Sequence, residues 1–242
     1  MLITARDNSK IKELKKWLTS SYSKEKGLFL IEGENLIEEA IKTNHLKELY
    51  VLNGYKCKYE FPYTNLSPEV MKSISSLKSV PRLLGVSTYI DKKELGNKIV
   101  ILDGVQDPGN AGTIIRNAVA FDVDTIVFSN DSVNPYNEKV LRSTGGMIYN
   151  INIIICDIYK IINDIKKNDI KIIGTSLSKS KSLNDVNMIN KYAIIFGNEG
   201  QGVKKSILSK CDEIVRIDMN SKCESLNVGV STGIILYHMY KG

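Results

Sequence analysis

The chain has 242 residues, 43% hydrophobic and 25% charged, with 33 basic and 27 acidic side chains for a net charge of +6. This mixture excludes fibrous, collagen-like and disordered classes and fits one large or two modest globular domains. No apolar run approaches the roughly 20 residues that span a bilayer, and Met1–Arg6 carries no signal-peptide core, so the reading is a cytoplasmic protein with no membrane segment.

In chain order, Asn8 or Ser9 can cap a helix running to about Thr19, with Ile11, Leu14 and Leu18 on one face. Residues 1–26 hold seven basic side chains against three acidic ones, most of the chain's surplus, and this suits a polyanion partner or a solvated helix face equally well. Leu28–Ile31 reads as a strand, Glu34–Thr43 as a helix with Leu36, Ile37, Ala40 and Ile41 inward, and Leu49–Leu52 as a second strand. Ser67-Pro68 opens a helix, since proline suits the first helical position. Leu83–Ile90 reads as a strand, and the charged, aperiodic run Asp91–Asn97 marks a boundary, giving domains 1–95 and 96–242.

The second half alternates more regularly. Strands are expected at Ile99–Leu102, Thr125–Phe128, Ile170–Gly174, Ala193–Phe196 and Ile214–Ile217, with helices starting near Ala111, Asn137, Asp157 and Val203 and a last one over Asn227–Tyr240. Apolar strands alternating with amphipathic helices imply an α/β fold with a mostly parallel sheet, in which ligands bind beyond the carboxyl ends of the strands. Cys57, Cys156, Cys211 and Cys223 are scattered, and His45 and His238 are the only histidines. No metal site is therefore expected, and the cysteines read as reduced.

Three segments after strands break local rules. In Leu102–Asn117, Pro108-Gly109-Asn110 is a turn with Asn110 placed to cap the next helix, and Arg116 sits among Ile114, Ile115, Ala118 and Val119, where it must pair, snorkel or reach a polar cleft. The glycines here match neither phosphate-loop pattern, which counts against a nucleotide-binding enzyme. In Ile194–Gly202, a buried strand runs into Gly197-Asn198-Glu199-Gly200-Gln201-Gly202, where glycines permit close backbone approach to a ligand. In Ile217–Ser231, Glu224, Ser225 and Asn227 precede a helix with small residues at Gly229, Ser231 and Gly233. Ser225 or Asn227 can cap that helix, and its small face suits close packing by another chain or by this one.

Taken in order over residues 98–242, Asn110…Arg116, Phe196-Gly197-Asn198-Glu199-Gly200, Ile217-Asp218-Met219 and Glu224-Ser225-Leu226-Asn227-Val228 resemble the three signature motifs of the SpoU family of RNA 2′-O-methyltransferases, within the SPOUT superfamily. Lys222-Cys223 ahead of Glu224, and Gly229 where a serine is common, are the departures. Phe29-Leu30-Ile31-Glu32-Gly33 and the helix after it are similar to the small α/β, ribosomal-protein-like RNA-binding domain of the family's two-domain members.

The resemblance implies a C-terminal parallel-sheet domain with a deep trefoil knot, S-adenosylmethionine as methyl donor, RNA as partner, and a homodimer through the C-terminal domain. It implies donor contacts at Thr175, Gly197, Ile217, Ser225 and Leu226, and catalytic roles for Arg116, Asn110, Glu199, Ser225 and Asn227. The expected reaction is attack of a ribose 2′-oxygen on a sulfonium methyl, most of all in ribosomal RNA; a transfer-RNA enzyme and a non-catalytic RNA binder on the same scaffold are the alternatives. Holding the reactants in line supplies about 7–11 kcal/mol. An arginine base is chemically awkward, because its pKa exceeds 12 and neutralising it near pH 7 costs roughly 7 kcal/mol at 1.36 kcal/mol per unit. Two versions stay open: Arg116 as a base depressed by burial and substrate, or Arg116 as a cation on a phosphate or developing alkoxide.

Overall fold

The computed structural model of the chain describes residues 1–18, 20–90, 94–187 and 189–240. Two compact units emerge: Met1–Ile90 with Tyr136–Tyr149, and Asp91–Pro135 with Asn150–Gly242. The sequence marks one boundary near residue 95. The return of 136–149 to the first unit has no local signature, because it is decided by which surface the segment's apolar residues cover.

Among the described residues, the first unit carries β1 (Leu2–Ile3), α1 (Ser9–Lys16), α2 (Ser20–Lys26), β2 (Leu28–Glu32), α3 (Glu34–Lys42), β3 (Leu46–Leu52), β4 (Tyr63–Leu66), α4 (Pro68–Ile74) and β5 (Leu83–Thr88). Its sheet runs β1-β4-β3-β5-β2, with β5 antiparallel to both β2 and β3. Asn8 Oδ1 accepts from Lys10 N at 2.9 Å and caps α1, and Ser67 caps α4 ahead of Pro68. Helix α1 stops at Lys16 and α2 starts at Ser20, so the single helix expected to reach Thr19 is two; Thr19 itself lies outside the described residues. Ile11, Leu14, Trp17, Tyr50, Leu66, Met71 and Leu84 share one core cluster. Gly33 has φ +102° between β2 and α3, a conformation open to glycine at little cost.

The second unit follows β6 (Lys98–Asp103), α5 (Pro108–Ala120), β7 (Thr125–Ser129), β8 (Asn152–Cys156), α7 (Ile158–Lys167), β9 (Lys171–Thr175), β10 (Lys181–Ser182), β11 (Tyr192–Gly197), α8 (Lys205–Leu208), β12 (Glu213–Arg216) and α9 (Val228–Tyr240); α6 (Glu138–Thr144) lies in the returning segment of the first unit. Among the described residues its sheet has seven strands in the order β10-β12-β9-β11-β6-β7-β8, every pair parallel. The parallel α/β expectation therefore holds. Strands β7 and β11 are buried along their whole length, as double helical cover requires. The apolar run Asn152–Cys156 is a further strand beyond the five expected.

Strands β6 and β11 are neighbours. From β6 the chain proceeds to β7 on one side, and from β11 to β12 on the other. Such reversals open a crevice at the carboxyl ends of the strands. No described helix is long and apolar enough to cross a membrane.

Candidate active site

Beyond the carboxyl ends of β9, β11 and β12 lies a cavity of about 600 Å³, within the range of small-molecule sites. Thr175, Gly197, Ile217, Ser225 and Leu226, the five residues expected to hold the donor, all line it. Glu199, Glu224, Asn227 and Ser231 complete much of its polar wall. Three stretches remote in the chain thus meet in one space.

The wall after β11 is a tight turn. Asn198 and Gly202 bridge each other, with Gly202 N donating to Asn198 O at 2.9 Å and Asn198 N to Gly202 O at 3.2 Å. Asn198 Oδ1 accepts from Gly200 N (3.0 Å) and Gln201 N (3.1 Å), while its Nδ2 donates to Gly104 O at 2.8 Å. One side chain therefore shapes the turn and ties it to the loop after β6. The chain doubles back so closely that a Cβ on Gly197 would stand 2.0 Å from the carbonyl carbon of Gly202. Asn198 was not among the expected site residues; an asparagine directly after the glycine that closes a buried strand was its signal.

Asn110, Glu199 and Asn227 form a chain of contacts at the cavity's edge. Asn110 Nδ2 donates to Glu199 Oε1 at 3.0 Å, and Asn227 Nδ2 donates to Asn110 Oδ1 at 2.8 Å. The expectation that Asn110 caps α5 is corrected. Asp107 is the cap, its Oδ1 accepting from Asn110 N at 2.8 Å, and Pro108 is the first helical residue. Since Asp107 takes that duty, the Asn110 side chain is left to join Glu199 and Asn227. At α9, Asn227 rather than Ser225 is the cap: Asn227 Oδ1 accepts from Gly229 N at 2.9 Å and Val230 N at 3.3 Å.

Glu199 also accepts from Gln106 N (3.2 Å) and Asp107 N (3.0 Å). Partial burial pushes its carboxyl up, but the bonds from Asn110 and from the backbone outweigh it and hold the group below its ordinary value. The sign follows: these contacts are fully present above the usual carboxylate range and are lost as pH falls through the lower folded value. Glu199→Gln presents an amide to N–H donors. It should melt below the parent at pH 7 and lose about 10- to 100-fold in turnover, of the order of one misplaced charge-assisted hydrogen bond. The gap in melting temperature should narrow as pH falls out of the usual carboxylate range and close below the lowered folded value, where the parent carboxyl also protonates; a gap that persists there would contradict the carboxylate role.

Asp103 and Lys204 are a second pair absent from the sequence reading. Asp103, 1% exposed at the end of β6, accepts from Lys204 N at 2.8 Å and faces the Lys204 ammonium at 3.0 Å. Lys204 also reaches Asp131 at 2.6 Å. The hydrogen bond that Lys204 donates to Asp131 leads the causes that raise its ammonium, and Lys204 holds Asp131 low in return. This pairing neutralises a buried carboxylate and pins the return from the Asn198–Gly202 turn to β6.

Arg116 departs from expectation. It is exposed on α5, does not line the cavity of its own chain, and makes no hydrogen bond or ion pair within the described residues. Its exposed stripe on α5 includes Thr113 and Ala120. The small face of α9 is also resolved: Gly229 lies against Thr113 and Gly233 against Asn117, so α5 of the same chain takes the close contact. Asn117 Nδ2 donates to Gly229 O at 2.9 Å across it.

Residues 97–237 match the SpoU rRNA Methylase family, and residues 8–85 match the MRM3-like substrate binding domain. The chain belongs to the SpoU rRNA methylase family. It is 30% identical over 249 residues to the 23S rRNA (guanosine(2553)-2′-O)-methyltransferase RlmP of Bacillus subtilis, covering 98% of each chain. It is 31% identical over 140 residues to the 23S rRNA (guanosine-2′-O-)-methyltransferase RlmB of Xanthomonas campestris, covering 57% of this chain and 56% of that one. Its fold is similar to that of an AdoMet-bound rRNA methyltransferase from Sinorhizobium meliloti, with TM-score 0.88, 21% identity, and coverage of 100% and 97% of the two chains.

Proposed function

We infer that this SpoU-family chain transfers a methyl group from S-adenosylmethionine to a ribose 2′-hydroxyl of RNA, with ribosomal RNA as substrate. The observation that carries the reading is the convergence of three chain-distant loops on one cavity, with Asn110, Glu199 and Asn227 joined at its edge. The cavity fits the donor in kind: its volume suits a nucleoside-sized ligand, the Gly197 turn leaves backbone bare, and the Glu199 and Glu224 carboxylates favour a cation. When bound, S-adenosylmethionine supplies an electrophilic methyl on a sulfonium. The chain's own work is then to place and orient. Asn110, Glu199 and Asn227 position substrate beside the cavity, and Ser225 lines the cavity with Glu199 and Asn227.

Exposure of Arg116 favours the cationic version of its role. It steadies a phosphate or the developing alkoxide rather than taking the proton. Ribosomal RNA is favoured over transfer RNA by full-length similarity to the B. subtilis enzyme and by the first unit, which matches a substrate-binding domain and carries the basic stretch 1–26. We place the reaction in the cytoplasm, in keeping with four unpaired cysteines. The stretch from β12 to α9 closes the cavity against the turns after β9 and β11, and we take it to complete the trefoil knot. Calorimetric titration tests the donor reading. S-adenosylmethionine should bind in the micromolar range typical of enzyme substrates, roughly 1 µM to 1 mM; absence of binding would leave only an RNA-binding protein.

We also propose a homodimer through α5 and α9. Val230 (51% exposed), Ile234 (39%) and Tyr237 (46%) follow one another at helical spacing, and Tyr237 and Tyr240 both abut Phe121, the residue that caps the end of α5. A contiguous apolar stripe of this kind marks an interaction surface. The parent should sediment as a dimer, and Ile234→Glu as a monomer with at least a tenfold loss of methyl transfer. A fully dimeric Ile234→Glu would remove this face from consideration.

A further inference from the structure

The donor cavity has a cation in its wall. Arg216, the last residue of β12, lines it beside Glu199 and Glu224. Arg216 Nε lies 3.1 Å from Asp218 Oδ1, and its Nη1 donates to Ser180 O. Asp218 Oδ2 in turn accepts from the Ser182 hydroxyl. Asp218 does not line the cavity, although its neighbours Ile217 and Met219 do.

Two consequences follow from this pair. The first is mechanical. The stretch after β9 supplies Thr175, Ser176, Leu177 and Ser178 to the cavity, and β10 behind it is a two-residue edge strand paired to β12. Arg216 and Asp218 grip that stretch at Ser180, just ahead of this short ladder, and at Ser182 within it. The second is electrostatic. A methyl donor that carries a sulfonium is repelled by an uncompensated guanidinium in the wall. Its demethylated product is a thioether without that charge. Glu213 does not relieve Arg216, being itself paired to Lys171 and Lys181.

We propose that Asp218 is a positioning residue of the donor site: it cancels the charge of Arg216 and orients it along the cavity wall, so that the site admits a sulfonium cation. The proposal rests on the reading of this cavity as the donor site. Its signature is a ratio of affinities, which a purely structural role would not move. One uncompensated charge at a partly solvated site changes affinity by a factor of several, most at low ionic strength where screening is weak.

The experiment is calorimetric titration of the full-length protein with S-adenosylmethionine and, separately, S-adenosylhomocysteine, at about 10 mM ionic strength, where the screening length is about 30 Å. Asp218→Asn should weaken S-adenosylmethionine binding about three- to tenfold and S-adenosylhomocysteine binding less than twofold. Arg216→Gln should shift the ratio the opposite way, and it carries the test alone if Asp218→Asn does not fold. Equal losses for both ligands, or an unchanged ratio in Arg216→Gln, overturn the assignment. A parent protein that binds neither ligand overturns the donor-site reading itself.

Discussion

Gly197→Ala is expected to cost at least about 100-fold in S-adenosylmethionine affinity, or about 2.8 kcal/mol at 1.4 kcal/mol per factor of ten. The added Cβ would stand 2.0 Å from the Gly202 carbonyl carbon, 2.1 Å from Val203 N and 2.3 Å from Gly202 O. All three are backbone atoms, so no side-chain rotation relieves the clash. Relief requires opening the Asn198–Gly202 bridge, and with it the two amides that Asn198 Oδ1 holds in place. Overpacking of this kind also costs roughly 1–3 kcal/mol of stability. Gly200→Ala is the control in the same turn: its Cβ meets only Asn198 Oδ1, at 3.7 Å, an ordinary contact. Calorimetry with parallel thermal melts separates the two effects. A Gly197→Ala protein that binds the donor as the parent does would show that the turn is not part of the site.

Arg116→Ala is expected to lower turnover by about 10²- to 10⁴-fold, the span typical of one lost charge-stabilising or proton-handling group. Donor affinity should stay within about twofold, because Arg116 does not line the cavity. That split, turnover lost and donor binding kept, separates a group acting on the RNA or its transition state from one that builds the pocket. Arg116→Lys keeps the charge but not the planar fork. Substantial retained turnover in the lysine variant would fit the cationic role; loss as deep as in alanine would demand guanidinium geometry. Near-normal turnover in Arg116→Ala would remove Arg116 from the reaction altogether. Single-turnover rates with saturating donor are the measurement.

Much of this architecture was legible in the residues. Buried strands such as Ala193–Phe196 announce themselves as apolar runs ending in glycine, and their period needs no tertiary information. The lining of the cavity was legible through an ordered set of short motifs, each ambiguous alone. What escaped was decided by contacts distant in sequence. The Pro108-Gly109-Asn110 turn suggests an Asn110 cap, but Asp107 serves, and only Glu199, nearly 90 residues on, reveals what Asn110 is for. The same holds for Gly229 and Gly233, whose small size answers to Thr113 and Asn117 on α5 rather than to a second chain. The pairing of Asp103 with Lys204 has no spacing rule behind it at all. Because apolar residues surround Arg116 in sequence, it reads as having to pair, snorkel or reach a polar cleft, yet on the helix Ile115 and Ala118 turn inward and Arg116 turns out.

The most direct test is transfer of a labelled methyl group to an RNA fragment whose target nucleotide has been mapped by comparing RNA from cells with and without the protein. The 2′-hydroxyl is the feature that separates the two sugars. The ribose substrate should accept one methyl per molecule, and the same fragment with 2′-deoxyribose at that nucleotide should accept none. Label on the deoxy fragment would contradict 2′-O transfer.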